Sequence, residues 1–304
     1  MGKRILIAGG TGLIGSSLCD LLQEKGYEVA ILSRSPEVKN YQTFQWDVER
    51  HYLDESALDF AEGLVFLSGE NVGAKRWTQK QKDRILNSRI QAIRMLVEKI
   101  EKANRKPAFF ISASATGFYG GTLSKRFSIE TDLPGGDFLA AVTRQWEESV
   151  KPLQEMGIRM VVLRTGVVLS EKSGALPKMA KPVQLGLGSA LGSGKQYISW
   201  IELNDLARLY LFAIENEKLQ GVYNAVSPDP VTNETFMRQL ARAYRKPFFL
   251  PSVPSFLLKL LMGEMADMVL KGNRVSCEKI REAGFSFQYN KLEDYFQNLK
   301  QQPH

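Results

Sequence analysis

Residues 4–15 read Arg-Ile-Leu-Ile-Ala-Gly-Gly-Thr-Gly-Leu-Ile-Gly, an apolar run of strand length followed at once by glycines at 9, 12 and 15. Glycines in this spacing let the backbone turn sharply and approach a pyrophosphate closely. The N-terminus of the following helix adds a positive dipole for the same anion. The stretch predicts the first strand, turn and helix of a dinucleotide-binding sheet, and the alternative is a glycine-rich turn without a ligand. The predicted cofactor-binding residues of this turn are Gly9, Thr11, Gly12, Leu13, Ile14 and Gly15.

Strand-length apolar runs alternate with amphipathic helical patterns through the first half of the chain. The further strands are predicted at 28–33, 64–68, 108–112 and 159–164, and the helices at 13–25, 78–104 and 138–156. Such alternation predicts right-handed crossovers and a mostly parallel sheet with helices on both faces. We therefore expect an α/β fold, a Rossmann-type doubly wound parallel sheet with a smaller C-terminal α/β lobe.

The expected division is a dinucleotide-binding domain over 1–170, to which later strands return, and a substrate lobe over 171–304. Residues 174–200 are rich in glycine and read as a long mobile loop. Residues 256–270 carry apolar side chains near helical spacing, which favours core or lid packing over a partner or membrane-surface helix.

Composition excludes several classes of protein. The chain has 304 residues with a hydrophobic fraction of 44% and a net charge of +7, which is ordinary globular composition. Two cysteines argue against a disulfide network or a cysteine-based zinc site, and a catalytic triad would need His51 or His304. We expect no metal, no nucleic acid, no membrane span and a cytoplasmic location.

The end of the second predicted strand indicates which dinucleotide binds. An NAD site usually has Asp or Glu there for the ribose 2′-hydroxyl, whereas this chain has Ser33-Arg34. A hydroxyl and a guanidinium suit a 2′-phosphate. The pattern favours NADP(H) over NAD, with an exposed turn arginine as the alternative.

Further motifs connect the chain to a known family. Beyond the glycine turn, the informative segments are Leu67–Asn71, Ser112–Gly120, Phe138–Ala140, Trp146-Glu147, Arg164–Leu169, Leu185–Gly188, Trp200-Ile201, Pro230–Glu234 and Gly263–Met265. Together they resemble the extended short-chain dehydrogenase/reductases, and most closely their atypical branch, labelled nucleoside-diphosphate-sugar epimerase-like.

The resemblance implies roles for several of these residues. Gly12–Ile14 and Ser33-Arg34 are expected to hold the phosphates on the adenine side, and Asp47 is a candidate for the adenine edge, with a surface turn as the alternative. For the nicotinamide-side ribose and further cofactor contacts, the resemblance points to Leu67, Ser68, Gly69, Glu70, Arg89 and Arg164. Arg89 is equally well explained as part of a solvated helix face.

The chain departs from the family at its catalytic pair. Typical members use Tyr-x-x-x-Lys on a helix, because the lysine lowers the pKa of the phenol. None of the ten tyrosines has lysine four positions later, and the expected place reads Phe138-Leu139-Ala140-Ala141-Val142. The family's serine falls on Ser114 or Ala115, depending on the direction of counting. Tyr119, Ser114 and Glu130 are the remaining catalytic candidates.

Substrate contacts are expected after the glycine-rich stretch, where cationic, amide and aromatic side chains suit an anionic, partly planar ligand. The candidates are Lys195, Gln196, Tyr197 and Trp200. We therefore expect an NADP(H)-binding epimerase or oxidoreductase acting on a nucleotide-sugar or small carbonyl compound. The alternative is a non-catalytic NADP(H)-binding regulator or sensor that acts through a partner, and the resemblance to relatives with cell-division labels points the same way.

Overall fold

A computed structural model describes residues 3–35, 38, 40–124 and 126–299 of the chain. The strands, in chain order, are β1 (Arg4–Ala8), β2 (Glu28–Ser33), β3 (Gln42–Asp47), β4 (Tyr52–Leu53), β5 (Gly63–Phe66), β6 (Phe109–Ala115), β7 (Phe127–Ser128), β8 (Arg159–Thr165), β9 (Val167–Leu169), β10 (Tyr197–Ile198), β11 (Trp200–Glu202), β12 (Gly221–Ala225), β13 (Val231–Thr232) and β14 (Arg274–Val275). The helices are α1 (Leu13–Glu24), α2 (Ser56–Phe60), α3 (Gln79–Lys102), α4 (Phe138–Glu155), α5 (Ala175–Gln184), α6 (Leu203–Glu215), α7 (Asn233–Ala243), α8 (Ser255–Met262), α9 (Asp267–Leu270), α10 (Glu278–Glu282) and α11 (Leu292–Leu299).

The main sheet has the strand order β12-β8-β6-β5-β1-β2-β3-β4. Its pairs are parallel except for β3 with β4. The chain leaves β1 toward β2 on one side and returns through β5 on the other, so the strand order reverses next to β1. In doubly wound sheets, ligands bind in the crevice outside the carboxyl ends of the strands at such a point. The predicted fold class is confirmed, and the glycine turn lies at this crevice.

Alternation of apolar residues along β1 explains why both faces of the sheet are covered. Ile5 and Ile7 pack in a core with α1 and α6, whereas Leu6 and Ala8 pack in a second core with α3 and α4. All four side chains are fully buried. A strand buried on both faces reads as a continuous apolar run, as this one does.

The sequence prediction missed or misplaced some elements of the sheet. β1 and β2 have the predicted bounds, whereas β5 ends at Phe66, so that Leu67 and Ser68 lie in the loop after it. β6 extends to Ala115. Strand β3 was not predicted, because its pattern contains several polar residues, and neither was β12, which forms one edge of the sheet.

The prediction of a long mobile loop over residues 174–200 was wrong. This stretch contains α5, β10 and the start of β11. Leu176, Ala180 and Val183 are buried on one face of α5 in the core of the C-terminal lobe, together with α7 and α11. The surrounding glycines hid this short amphipathic pattern. The split at 170/171 stays a prediction, while α6 and β12 pack with the main sheet.

The apolar stretch 256–270 packs less than expected. On α8 only Leu258 is buried, and Phe256, Leu260 and Leu261 are exposed. Among the described residues, none of the helices has both the length and the apolar character needed to cross a bilayer. His304 lies outside the described residues.

Candidate dinucleotide site and the buried network beside it

The glycine turn is a tight loop between β1 and α1. The Gly12 N–H donates to the Gly9 carbonyl oxygen at 3.1 Å, and Gly9 has φ = 87°, a left-handed conformation that favours glycine. A Cβ on Gly15 would lie 2.2 Å from the Gly9 oxygen. Gly9 and Gly15 are therefore required by the turn itself and by the close approach of α1 to β1.

Gly12 is different, because nothing in the fold requires a glycine there. Its φ of −77° suits any residue, and a Cβ would meet only the Gly9 oxygen, at 3.4 Å. Thr11 and Gly12 are exposed at the mouth of the crevice. The missing side chain leaves open space against the backbone, which is the feature that a closely approaching diphosphate requires.

The N-terminus of α1 is left open toward the same space. No side chain caps it, and its first turn contains no acidic residue. Within the described ranges, the N–H groups of Leu13 and Ile14 have no protein acceptor. Unsatisfied N–H groups at the positive end of a helix are an anion-binding arrangement.

Ser33 is the last residue of β2, the strand next to β1, and Arg34 follows it directly. The Ser33 hydroxyl accepts the N–H of Ser35 at 3.1 Å, and Arg34 is exposed. Among the residues that the structure describes, no carboxylate pairs with Arg34, so its guanidinium is available to an anion. Asp47 accepts the N–H groups of Glu49 and Arg50, which favours the surface-turn explanation for that carboxylate.

Arg89 of α3 contacts the loop after β5. Arg89 donates to the carbonyl oxygens of Glu70 at 3.0 Å and Ile85 at 2.8 Å, and its guanidinium lies 4.9 Å from the Trp146 ring centre. Burial lowers the pKa of Arg89 to about 10, although Glu70 counteracts this. Both terminal nitrogens of Arg89 thus bind protein oxygens, which argues against a solvated helix face, and its contact with the cofactor stays a prediction. Arg89 positions the loop of Leu67, Ser68 and Gly69.

A buried polar network links three strands of the main sheet. Ser114, Arg164 and Asn224 lie in register on β6, β8 and β12. Arg164 forms two hydrogen bonds with the Glu147 carboxylate, both at 2.8 Å, and donates to the Tyr119 hydroxyl at 3.1 Å and to the Glu130 carbonyl oxygen at 3.2 Å. Only 3% of Arg164 is exposed. Protein partners thus accept four hydrogen bonds from the guanidinium.

The three catalytic candidates are members of this network. The Ser114 hydroxyl donates to Glu147 at 2.7 Å, and the Tyr119 hydroxyl donates to the Asn224 side-chain oxygen at 2.6 Å. A Glu130 side-chain oxygen accepts the Asn224 N–H at 2.9 Å. Each of the two hydroxyls, on Ser114 and Tyr119, donates a hydrogen bond to a protein acceptor.

The environment of Tyr119 also keeps its phenol neutral. Burial raises the pKa of Tyr119 to about 12, even though the hydrogen bonds from Arg164 and to Asn224 act in the opposite direction. A phenol with this pKa is not a base at neutral pH. Tyr119 therefore holds the network together, and its catalytic role stays an untested prediction that this geometry does not favour.

Phe138 stands at the place where the resemblance puts the family's tyrosine. Its ring contacts Trp77 edge-on, with 5.1 Å between ring centres, and the Lys82 ammonium lies 5.3 Å from its centre. Lys82 also forms an ion pair with Glu264, which belongs to the short 3-10 turn Gly263–Ala266 of the C-terminal lobe. Where the resemblance expects an ionisable phenol, the chain thus has an apolar ring with an ammonium beside it.

The predicted substrate residues are not brought together. Trp200 is fully buried in the core of the lobe and donates to the Asp229 carbonyl oxygen at 2.7 Å. The Gln196 amide is also buried and donates to the carbonyl oxygens of Leu191 and Val269. Lys195 is exposed, and Tyr197 is half-buried with the Arg274 guanidinium 5.2 Å from its ring centre. Only Lys195 and Tyr197 present surface to a ligand.

Sequence reasoning did not assign roles to Glu147, Asn224, Lys82 or Glu264. Glu147 and Glu264 fell within motifs of the resemblance but had no stated chemistry. Asn224 had a weak signal, since an amide inside the apolar run 221–226 is unusual in a buried strand. Lys82 had none, because a lysine near a helix start reads as a solvated face.

Comparisons with known proteins agree with this geometry. The sequence profile of the NAD dependent epimerase/dehydratase family matches residues 5–225, and that of a domain of unknown function, DUF1731, matches residues 253–299. The epimerase family protein YfhF of Bacillus subtilis is 38% identical over 292 residues, covering 95% of each chain. The epimerase family protein ML0860 of Mycobacterium leprae is 37% identical over 290 residues, covering 95% of this chain and 92% of that protein.

Solved structures show the same architecture. The human epimerase family protein SDR39U1, crystallised with NADPH, superposes with a TM-score of 0.87 at 29% identity, covering 98% of this chain and 99% of that one. A nucleoside-diphosphate sugar epimerase from Corynebacterium glutamicum gives a TM-score of 0.81 at 30% identity, covering 99% of this chain and 58% of that one.

Proposed function

The chain belongs to the NAD dependent epimerase/dehydratase family, and from this we propose that it binds NADP(H) and acts as an oxidoreductase or epimerase on a nucleotide-linked or small carbonyl compound. The observation that carries the proposal is the open glycine turn, with its uncapped helix, beside an arginine that has no described carboxylate partner. The NADPH in the human relative supports the same cofactor.

The residues present fit this cofactor. The N–H groups of Leu13 and Ile14 would hold the diphosphate over Gly12, where no side chain intervenes. Ser33 and Arg34 would hold the 2′-phosphate, since a planar guanidinium recognises phosphate oxygens in pairs. Leu67, Ser68 and Gly69 would line the ribose on the nicotinamide side, on a loop fixed by Arg89.

The chemistry that NADP(H) supplies when bound is hydride transfer. The chain's own residues would bind and orient the cofactor and the substrate and shield them from water. The Arg164 network fixes Tyr119 and Ser114 and holds Glu130, in the loop after β7, against the sheet. The sequence has no Tyr-x-x-x-Lys, so the proposed reaction needs an acid and a base other than those of typical short-chain enzymes.

A second function is favoured by one observation. The hydroxyls of two catalytic candidates, Ser114 and Tyr119, donate hydrogen bonds to the protein acceptors Glu147 and Asn224. A non-catalytic NADP(H)-binding sensor that acts through a partner needs only the binding half of the site. Such a protein would bind NADPH and never oxidise it.

Calorimetric titration of the purified chain with NADPH and with NADH tests the binding proposal. We expect saturable NADPH binding and NADH binding weaker by at least about tenfold, since the missing 2′-phosphate removes a charge-assisted contact. Equal affinity would remove the role of Arg34, and no binding of either would end the proposal. Following nicotinamide absorbance with a panel of carbonyl compounds detects an oxidoreductase, whereas an epimerase, whose cofactor is regenerated in each turnover, is detected by product analysis with nucleotide sugars.

A further inference from the structure

The segment that follows β5 at the carboxyl end of the sheet meets the C-terminal lobe along a seam between the two halves of the molecule. The seam is formed by Arg76 and Lys82 from the segment after β5 and by Gly263 and Glu264 from the C-terminal lobe. Lys82 forms an ion pair with Glu264, and the Arg76 guanidinium lies 3.2 Å from where a Cβ on Gly263 would be. Gly263 has φ = 62°, so glycine suits this position on both counts.

The seam carries more positive than negative charge. Two cations converge on a turn that offers one carboxylate, and within the described ranges Arg76 has no ion-pair partner. Lys75, next in the chain to Arg76, is a further exposed cation. An anion entering here would meet an excess of positive charge.

The two partners of the ion pair differ in exposure. The Lys82 side chain is 21% exposed and lies over the Phe138 ring, whereas the Glu264 side chain is 66% exposed. An ammonium beside an apolar ring is stabilised more by a charged partner than an ammonium that is fully surrounded by water. Among the described residues, Glu264 has no ion pair other than that with Lys82.

We propose that Arg76 and Lys82 bind an anionic group of the substrate, a carboxylate or a phosphate, which takes the place of Glu264 on the Lys82 ammonium. Phe138 and Trp77 form the apolar side of the same subsite. The proposal rests on the proposed function and narrows its substrate class to anionic compounds. Glu264 is then an internal competitor that occupies the cation when no substrate is bound.

The competitor role predicts the direction in which Glu264→Gln changes the affinity for the anion. If Glu264 only held the lobe in place, Glu264→Gln would weaken or not change anion binding. If Glu264 competes, the same variant frees Lys82 and tightens anion binding, because a larger fraction of the protein is competent. Glutamine keeps the shape of the side chain. Because Glu264 is exposed, we expect the variant to fold normally.

The experiment is calorimetric titration of NADPH-saturated protein with inorganic pyrophosphate and, separately, with 2-oxoglutarate. Saturation with NADPH keeps pyrophosphate out of the glycine turn. We expect Lys82→Met to weaken binding of the favoured anion by about tenfold or more, Lys82→Arg to retain most of it, and Glu264→Gln to tighten it by roughly threefold. Lys80→Met is the matched control, since Lys80 is exposed in the same helical turn without a described contact.

Every outcome decides the matter. Binding of one anion with these changes supports the subsite and tells a phosphate-bearing from a carboxylate-bearing substrate. The proposal is overturned if anion binding does not depend on Lys82, if Glu264→Gln binds the anion more weakly than wild type or equally well, or if neither anion binds to the NADPH complex. A failure of NADPH itself to bind would instead count against the proposed function, so the two failures are distinguishable.

Discussion

Arg164 and Glu147 are joined by two parallel hydrogen bonds, Nε to Oε1 and Nη2 to Oε2, both at 2.8 Å, between β8 and α4. Their side chains are 4% and 10% exposed. Burial alone would lower the pKa of Arg164, but the hydrogen bond and charge of Glu147 and the contact with Tyr119 raise it overall. The pair is a buried ion pair whose charges depend on each other.

Glu147→Gln is expected to destabilise the protein by about 3–5 kcal/mol, because it leaves a buried guanidinium without a countercharge. Urea unfolding measures the change. Glu148→Gln, at the next position of the same helix, removes an exposed carboxylate 3.9 Å from Arg144 and should cost less than about 1 kcal/mol. Equal effects of the two substitutions would contradict the picture of a buried network.

Gly12 and Gly15 are expected to respond oppositely to alanine. Gly12→Ala should leave stability within about 1 kcal/mol of wild type, since its backbone and surroundings accept a methyl group, yet it should abolish NADPH binding. Gly15→Ala should destabilise by about 1–3 kcal/mol or more, because its Cβ would overlap the Gly9 oxygen. Thermal unfolding and NADPH titration of both variants provide the comparison. A Gly12→Ala protein that binds NADPH normally would mean that the diphosphate lies elsewhere.

Arg34→Ala is expected to weaken NADPH binding by about tenfold to a hundredfold while leaving NADH binding unchanged, because the guanidinium contacts only the 2′-phosphate. Arg50→Ala is a suitable control, since that side chain is 84% exposed and pairs with Asp47. Fluorescence titration with both nucleotides measures the effect. A loss that is equal for NADPH and NADH would assign Arg34 to another part of the cofactor.

Tyr119 is expected to make the protein less stable at alkaline pH. Its pKa is about 12 in the folded chain against 10.0 ordinarily, so the native state retains the proton longer than the unfolded state. This contribution is complete below pH 10 and is lost as the pH rises toward 12. The loss is about 2–3 kcal/mol from this residue.

Urea unfolding at pH 9 and near pH 11.5 tests this dependence. Tyr119→Phe should be less stable than wild type at pH 9, where it lacks the hydrogen bond to Asn224, and should lose less stability on going to the higher pH. An identical slope in the two proteins would show that the phenol titrates normally and is not enclosed.

Local patterns determined the first part of the site. The apolar run 4–8, the glycines after it and Ser33-Arg34 act through backbone conformation, helix ends and strand ends, each of which depends on a few consecutive residues. For this reason the fold class, the place of the turn and the expected cofactor could be inferred without coordinates. The absence of the tyrosine–lysine pair was equally visible, because that pair also lies within one helical turn.

Only the tertiary structure decided what the remaining polar residues do. Tyr119 meets Asn224 across 105 positions of the chain, and Lys82 meets Glu264 from the other half of the molecule. Trp200 has an aromatic side chain that could stack on a ligand, but it fills the core of the lobe instead. A carboxylate, phenol or indole has the same sequence signature in either role. Its partners are fixed by non-local packing of strands and helices, which no spacing along the chain encodes.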